Sequence, residues 1–253
     1  MLTIKKISKI NHVAWDNFVN KSNNGTMFHL RRFLSYHPND RFIDHSLEFY
    51  KNNSLFSIFP AAEVIINKKR LLVSHPGSTF GSFVTLENLS ISNAMKLVEI
   101  LVYYAVKNGF DGIRLTVPPS FYYNRTSNYL DFSLLKNGFN YFKREVTSTL
   151  FIEQNEKSIL KKFRSSHARA VRKAEKIGIE VRKTNQVEEF YNILKENLKI
   201  RHGVEPTHTL EEIYKLINLF PKSINVFGAF YKGDMIAGVL NFLVKPDVAL
   251  AFY

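Results

Sequence analysis

The chain has 253 residues, with 35 Lys and Arg against 22 Asp and Glu, a formal net charge of +13, and no cysteine. That length holds one large domain or two of ordinary size. Without cysteine there is no disulfide scaffold, CxxC redox pair, thiol nucleophile or thiolate-bound metal. No apolar run reaches the roughly 18 residues a membrane span needs, and no apolar leader core follows the basic start, so the expected compartment is the cytoplasm.

The excess positive charge favours polyanionic partners. It is concentrated: Lys157 to Lys183 holds ten Lys and Arg and only two acids, Glu175 and Glu180.

In chain order, 10–36 reads as two short helices around the turn-rich stretch Lys21 to Thr26. Two hairpins follow, 47–50 with 55–59 and 63–66 with 71–74, turning at Lys51-Asn52-Asn53-Ser54 and Asn67-Lys68-Lys69-Arg70. A glycine-bearing loop, His75 to Ser82, comes next. Ser92 to Asn108 predicts a helix, because Ala94, Leu97, Val98, Leu101, Val102 and Ala105 fall on one face. Ser90 or Ser92 can cap it, and Gly109 ends it. A strand over 112–117 stops at Pro118-Pro119. A helix over 129–136 ends at Gly138, and the β-branched and aromatic stretch 139–152 reads as extended.

A basic helix is expected over 156–176. Leu160, Phe163, His167, Ala170, Ala174 and Ile177 would line its apolar face, with His167 a core residue. A strand over 179–182, helices over 187–200 and 209–219, a hairpin of 224–231 with 235–244, and a strand from Val248 complete the pattern. Thr207 or Thr209 can cap the 209–219 helix, with Glu211 and Glu212 in its first turn.

Both halves run two helices, a strand hairpin and a further strand, which implies a duplicated mixed α/β unit of about 1–152 and 153–253. The second copy is expected to be incomplete. Its final apolar strand is an edge that calls for further chain or a covering partner.

This order of elements resembles the GNAT acyltransferase fold in tandem, as in the FemAB-type aminoacyl and peptidyl transferases. The resemblance is carried by Gly25-Thr26-Met27-Phe28-His29, Ser74-His75-Pro76-Gly77 with Gly81, Ser166 to Ala174 (R-x-x-R-K-A) with Gly178-Ile179, and Lys232-Gly233-Asp234-Met235-Ile236-Ala237-Gly238. It implies transfer of an acyl or aminoacyl group from acyl-CoA or aminoacyl-tRNA to an amino group, in cell-envelope or polysaccharide biosynthesis, with no tightly bound cofactor and no metal. The acceptor would be an amine-bearing small molecule or envelope precursor. The glycine-rich pyrophosphate loop of single-domain GNAT enzymes is absent after Val84, where Thr85-Leu86-Glu87-Asn88-Leu89-Ser90 stands instead.

Such transfer needs an aimed amine, a stabiliser for the developing oxyanion and a hold on the donor's phosphates. It needs no nucleophile of its own, in keeping with the absence of Cys and of a GxSxG elbow. Arg169, Arg172, Lys173 and Lys176 are candidates for the phosphates; the alternative is a solvated helix face. His202, Glu205 and His208, in one loop, are candidates to accept the amine's proton; the alternative is cap and loop hydrogen bonding, and a zinc pair lacks a third ligand. His29, His75, Gly77, Ser78 and Tyr122 are candidate substrate contacts; a plain turn around Gly77 and packing of His29 under the sheet are the alternatives. A non-catalytic module binding nucleic acid or an anionic surface is the competing functional reading.

Overall fold

The computed structural model describes residues 2–8, 11–38, 40–152 and 155–253. Two compact units divide the chain: Met1–Asn140 with Leu243–Ala249, and Tyr141–Phe242 with Leu250–Tyr253.

The first unit contains two four-stranded sheets. One runs β1 (Leu2–Lys6), β3 (Leu47–Lys51), β4 (Ser54–Phe59), β7 (Val84–Thr85); the other runs β2 (Ile43–Asp44), β5 (Ala62–Ile66), β6 (Lys69–Ser74), β8 (Gly112–Leu115). Pairing is antiparallel except for β6 with β8. Both predicted hairpins form. Their two-residue turns, Asn52-Asn53 and Asn67-Lys68, hold positive φ throughout, the twist that joins adjacent strands without splaying them.

Helices α1 (His12–Lys21), α2 (Arg31–Leu34), α3 (Ile91–Lys107) and α4 (Tyr129–Lys136) complete this unit. α3 forms as its periodicity requires. The Ser90 hydroxyl accepts from the Asn93 amide at 3.3 Å, and Ala94, Leu97, Val98, Leu101 and Ala105 are buried. They pack with Leu47, Phe49, Phe59 and Leu72 from the strands, with Phe83 just before β7, and with Leu130 and Leu134 from α4.

The second unit has α5 (Glu156–Lys161), α6 (Ser165–Lys176), α7 (Val187–His202) and α8 (Leu210–Leu219). A third sheet runs β12 (Val248–Ala251), β11 (Asp234–Lys245), β10 (Ile224–Tyr231), β9 (Glu180–Thr184), and all of it but Leu243–Ala249 belongs to this unit. α8 starts with a reciprocal cap: the Thr209 hydroxyl accepts from the Glu212 amide, and the Glu212 carboxylate accepts from the Thr209 amide. Each satisfies an amide the helix cannot.

Three expectations are corrected. Residues 139–152 form no strand; from Tyr141 to Ile152 the chain is irregular, with Phe142 79%, Val146 99% and Phe151 75% exposed. Intrinsic β preference needs a neighbouring strand to be realised, and none pairs with this stretch. The single basic helix is two. Arg164 is extended at φ −56°, ψ 145° and α6 starts afresh at Ser165, where a Ser pair suits a helix start better than a helix interior. His167 is exposed, not a core residue; the buried position of α6 is Ala168.

Candidate functional site

In the first unit the opening motif and the glycine loop are built against each other. Residues Met27–His29 form one 3-10 turn and are buried. The Thr26 amide donates to His29 Nδ1 at 3.0 Å, so that nitrogen carries no proton; Nε2–H donates to the Gly81 carbonyl at 3.1 Å. Trp15 Nε1–H donates to the His29 carbonyl at 2.7 Å, and the Ser78 hydroxyl lies 3.1 Å from the Phe28 carbonyl. Burial pushes His29 down to about 4, and it pushes His75 to about 4 as well, with the Asp44 charge opposing. Both imidazoles are therefore neutral near pH 7.

Four of the loop's amides have acceptors within the protein. Gly77 N–H donates to His75 Nδ1, Ser78 N–H to the His75 carbonyl, Gly81 N–H to the Thr116 carbonyl and Ser82 N–H to the Ser74 hydroxyl. The glycines allow close approach: a Cβ on Gly77 would lie 2.2 Å from His37 Nε2, and one on Gly81 2.4 Å from the Ser74 carbonyl oxygen. His29, His75, Gly77 and Ser78 thus meet, but as a bonded knot rather than an open anion cradle. Tyr122 joins through Phe80, ring centroids 5.1 Å apart, with Phe80 against Phe28 at 5.8 Å.

Beside this knot, Asn23 and Asn24 fasten three segments, with partners that their reading as turn residues did not reveal. Asn23 exchanges side-chain hydrogen bonds with the Arg125 backbone at 2.7 and 2.9 Å; Asn24 bridges the Phe83 carbonyl and the Thr85 amide. Lys245, from the 243–249 portion of this unit, donates to the Tyr122 carbonyl at 2.7 Å and Asn124 Oδ1 at 2.6 Å, with the Asn23 carbonyl at 3.5 Å. Against this scaffold lies a cavity of about 260 Å³ lined by residues including Asn23, Thr85, Glu87, Tyr123, Arg125 and Ser127. Of these, Asn23 carried the sequence signal of a turn.

In the second unit the three candidate proton acceptors have different surroundings. His202 is the last residue of α7 and is exposed. Glu205 is exposed and 3.4 Å from Lys195 Nζ. His208 is buried, its Nδ1 2.8 Å from the Tyr253 hydroxyl, which also accepts from the His208 amide at 3.2 Å. Tyr191 OH donates to the His208 carbonyl at 3.1 Å. Proximity in sequence does not give the three a common environment.

Arg169, Arg172, Lys173 and Lys176 are all exposed on α6. No ion pair engages them among the described residues. Spacings of three and four residues put them on adjoining rows of one helix. No group of three or more His, Asp or Glu with metal-binding geometry occurs among the described residues, and no described helix is long and apolar enough to cross a membrane.

Mixed α/β units in tandem with this element order define a GNAT-like architecture. The chain is similar over 95% of its length to the crystal structure of FemX, with a TM-score of 0.58 and 14% sequence identity, and it spans 58% of that protein. Weaker likenesses include a GNAT family acetyltransferase of Staphylococcus aureus (TM-score 0.38, 10% identity, 59% of this chain and 98% of that one) and the aminoglycoside N-acetyltransferase AAC(6')-Iy in complex with CoA (TM-score 0.39, 11% identity, 59% and 95%). No protein-family model and no curated protein matches the sequence. The fold is that of tandem GNAT-like, FemX-type proteins.

Proposed function

We propose that this chain is a transferase that moves an acyl or aminoacyl group from a phosphate-bearing donor, acyl-CoA or aminoacyl-tRNA, to an amino group of a small molecule or envelope precursor. The GNAT-like fold supports the class. The observation that carries the donor assignment is the unpaired cationic face of α6, with Arg169, Arg172, Lys173 and Lys176 exposed together. Guanidinium groups bind phosphate oxygens in a bidentate way, and lysines add diffuse positive charge.

In the reaction the acceptor nitrogen bonds to the donor carbonyl carbon. The bond from that carbon to the thiol sulfur or ribose oxygen breaks, and the amine's proton passes to a base or to the leaving group. Of the three candidates, His208 is the one buried and oriented, by Tyr253. We assign it the role of proton acceptor ahead of His202 and Glu205, which face solvent. His29, His75, Gly77, Ser78 and Tyr122 serve by fixing the loops of the first unit.

The donor assignment is tested by titrating coenzyme A and tRNA into the full chain at about 50 and about 200 mM salt. Arg169→Glu with Arg172→Glu weakens the bound donor by at least about tenfold at low salt. For tRNA, removing each phosphate contact lowers the salt slope by about one. Unchanged binding in the double variant rejects the assignment. tRNA binding with no transfer to any amine favours a non-catalytic nucleic-acid module instead.

A further inference from the structure

The cavity in the first unit is distinct from every residue group implicated above in donor binding or proton transfer. Its walls carry two opposite charges, Glu87 and Arg125, and hydroxyls from Thr85, Tyr123 and Ser127. Among the described residues no ion pair joins the two charges, and the Arg125 guanidinium has no hydrogen bond. Asn124 Nδ2 donates to Glu87 Oε1 at 3.2 Å, and among the described residues no hydrogen-bond donor reaches Oε2.

The surroundings fix that carboxylate. Asn124 Oδ1 accepts from Lys245, which turns its amide NH2 toward Glu87. The Lys245 ammonium gives its hydrogen bonds to Asn124 Oδ1 and the Tyr122 and Asn23 carbonyls, and it attracts Glu87 through space without bonding to it. The backbone of Arg125 is pinned by Asn23 on both its N–H and C=O. An exposed carboxylate and an exposed guanidinium, both lining one polar cavity and the latter on a backbone held by Asn23, complement a ligand that carries both signs.

We infer that this cavity binds a zwitterion of the amino-acid or short-peptide class, its ammonium on Glu87 and its carboxylate on Arg125. A volume of about 260 Å³, against about 30 Å³ for a water molecule, accommodates an amino acid or a dipeptide of small residues. That this ligand is the acceptor amine rests on the transferase reading; that it binds does not.

The test is calorimetric titration of the full chain with alanine, lysine and alanyl-alanine, and with the N-acetyl and C-terminal amide forms of alanyl-alanine. The uncapped zwitterion is expected to bind, and either cap to weaken it by on the order of tenfold or more, the worth of one charge-assisted hydrogen bond. Glu87→Gln is expected to erase the discrimination against the N-acetyl form and Arg125→Gln that against the amide, each leaving the other preference intact. Equal binding of capped and uncapped ligands, or no binding of any of the three zwitterions, overturns the proposal. The capping comparison needs no variant, so it stands even if a variant misfolds. Zwitterion binding in a chain that transfers nothing keeps this inference and ends the transferase reading; transfer without zwitterion binding does the reverse.

Discussion

His29, by sequence a candidate substrate contact, is bonded in the structure as a bolt between two segments. Its ring spans from the Thr26 amide to the Gly81 carbonyl, and burial holds it neutral, as it does His75. This has a measurable consequence. Both have folded-state values of about 4, below the ordinary 6.5 of an exposed imidazole. Their contribution to stability is therefore complete above pH 6.5 and is lost as pH falls toward 4, because the unfolded chain takes up protons first. Each is expected to cost about 2 kcal/mol between pH 6.5 and pH 5, at about 1.4 kcal/mol per pH unit. Urea denaturation at a series of pH values should show that decline, and His29→Ala should be less stable at pH 7 yet have a flatter profile. A pH-independent midpoint over this range in the unaltered chain contradicts the neutral assignment.

At the scale of elements, α3 is where pattern and structure agree. Its apolar residues recur at helical spacing, Ser90 caps it and its buried face closes the core of the first unit. Leu97 is fully buried there, so Leu97→Ala is expected to destabilise that unit by about 2–5 kcal/mol through lost burial and a residual cavity, read as a lower denaturant midpoint. A cost below about 1 kcal/mol would mean the site is not packed as described. The hairpins and the Thr209–Glu212 cap were legible for the same reason: turn and cap chemistry acts over a few residues. The stretch 139–152 misled because its β preference speaks only of what a residue tolerates, while a strand also needs a partner. β1 has no local signal, because Leu2 to Lys6 reads only as basic, although each residue pairs with one of Leu47 to Lys51.

For the whole molecule, element order gave the GNAT-like tandem reading that the FemX likeness supports, but the candidate site was only partly visible. The Arg and Lys cluster of α6 could be read directly, since helical spacing alone defines one side of a helix. The knot of His29, His75, Gly77 and Ser78 was visible as two motifs, without a sign that they meet. Lys245 lies 222 residues from Asn23 and 123 from Tyr122, and no local pattern encodes contacts of that separation. Glu87 and Arg125 lacked any motif because the cavity, not the spacing, relates them.

Group transfer to nitrogen is measured directly by a transfer assay on the purified full chain. Labelled acetyl-CoA and labelled alanyl-tRNA are each supplied with alanine, lysine and alanyl-alanine as acceptors, and amide products are identified by mass spectrometry. Amide formation above the protein-free background with one donor, reduced at least about tenfold in His208→Ala and in the Arg169 and Arg172 double variant, is the predicted result. Background rates with both donors and every acceptor would contradict it.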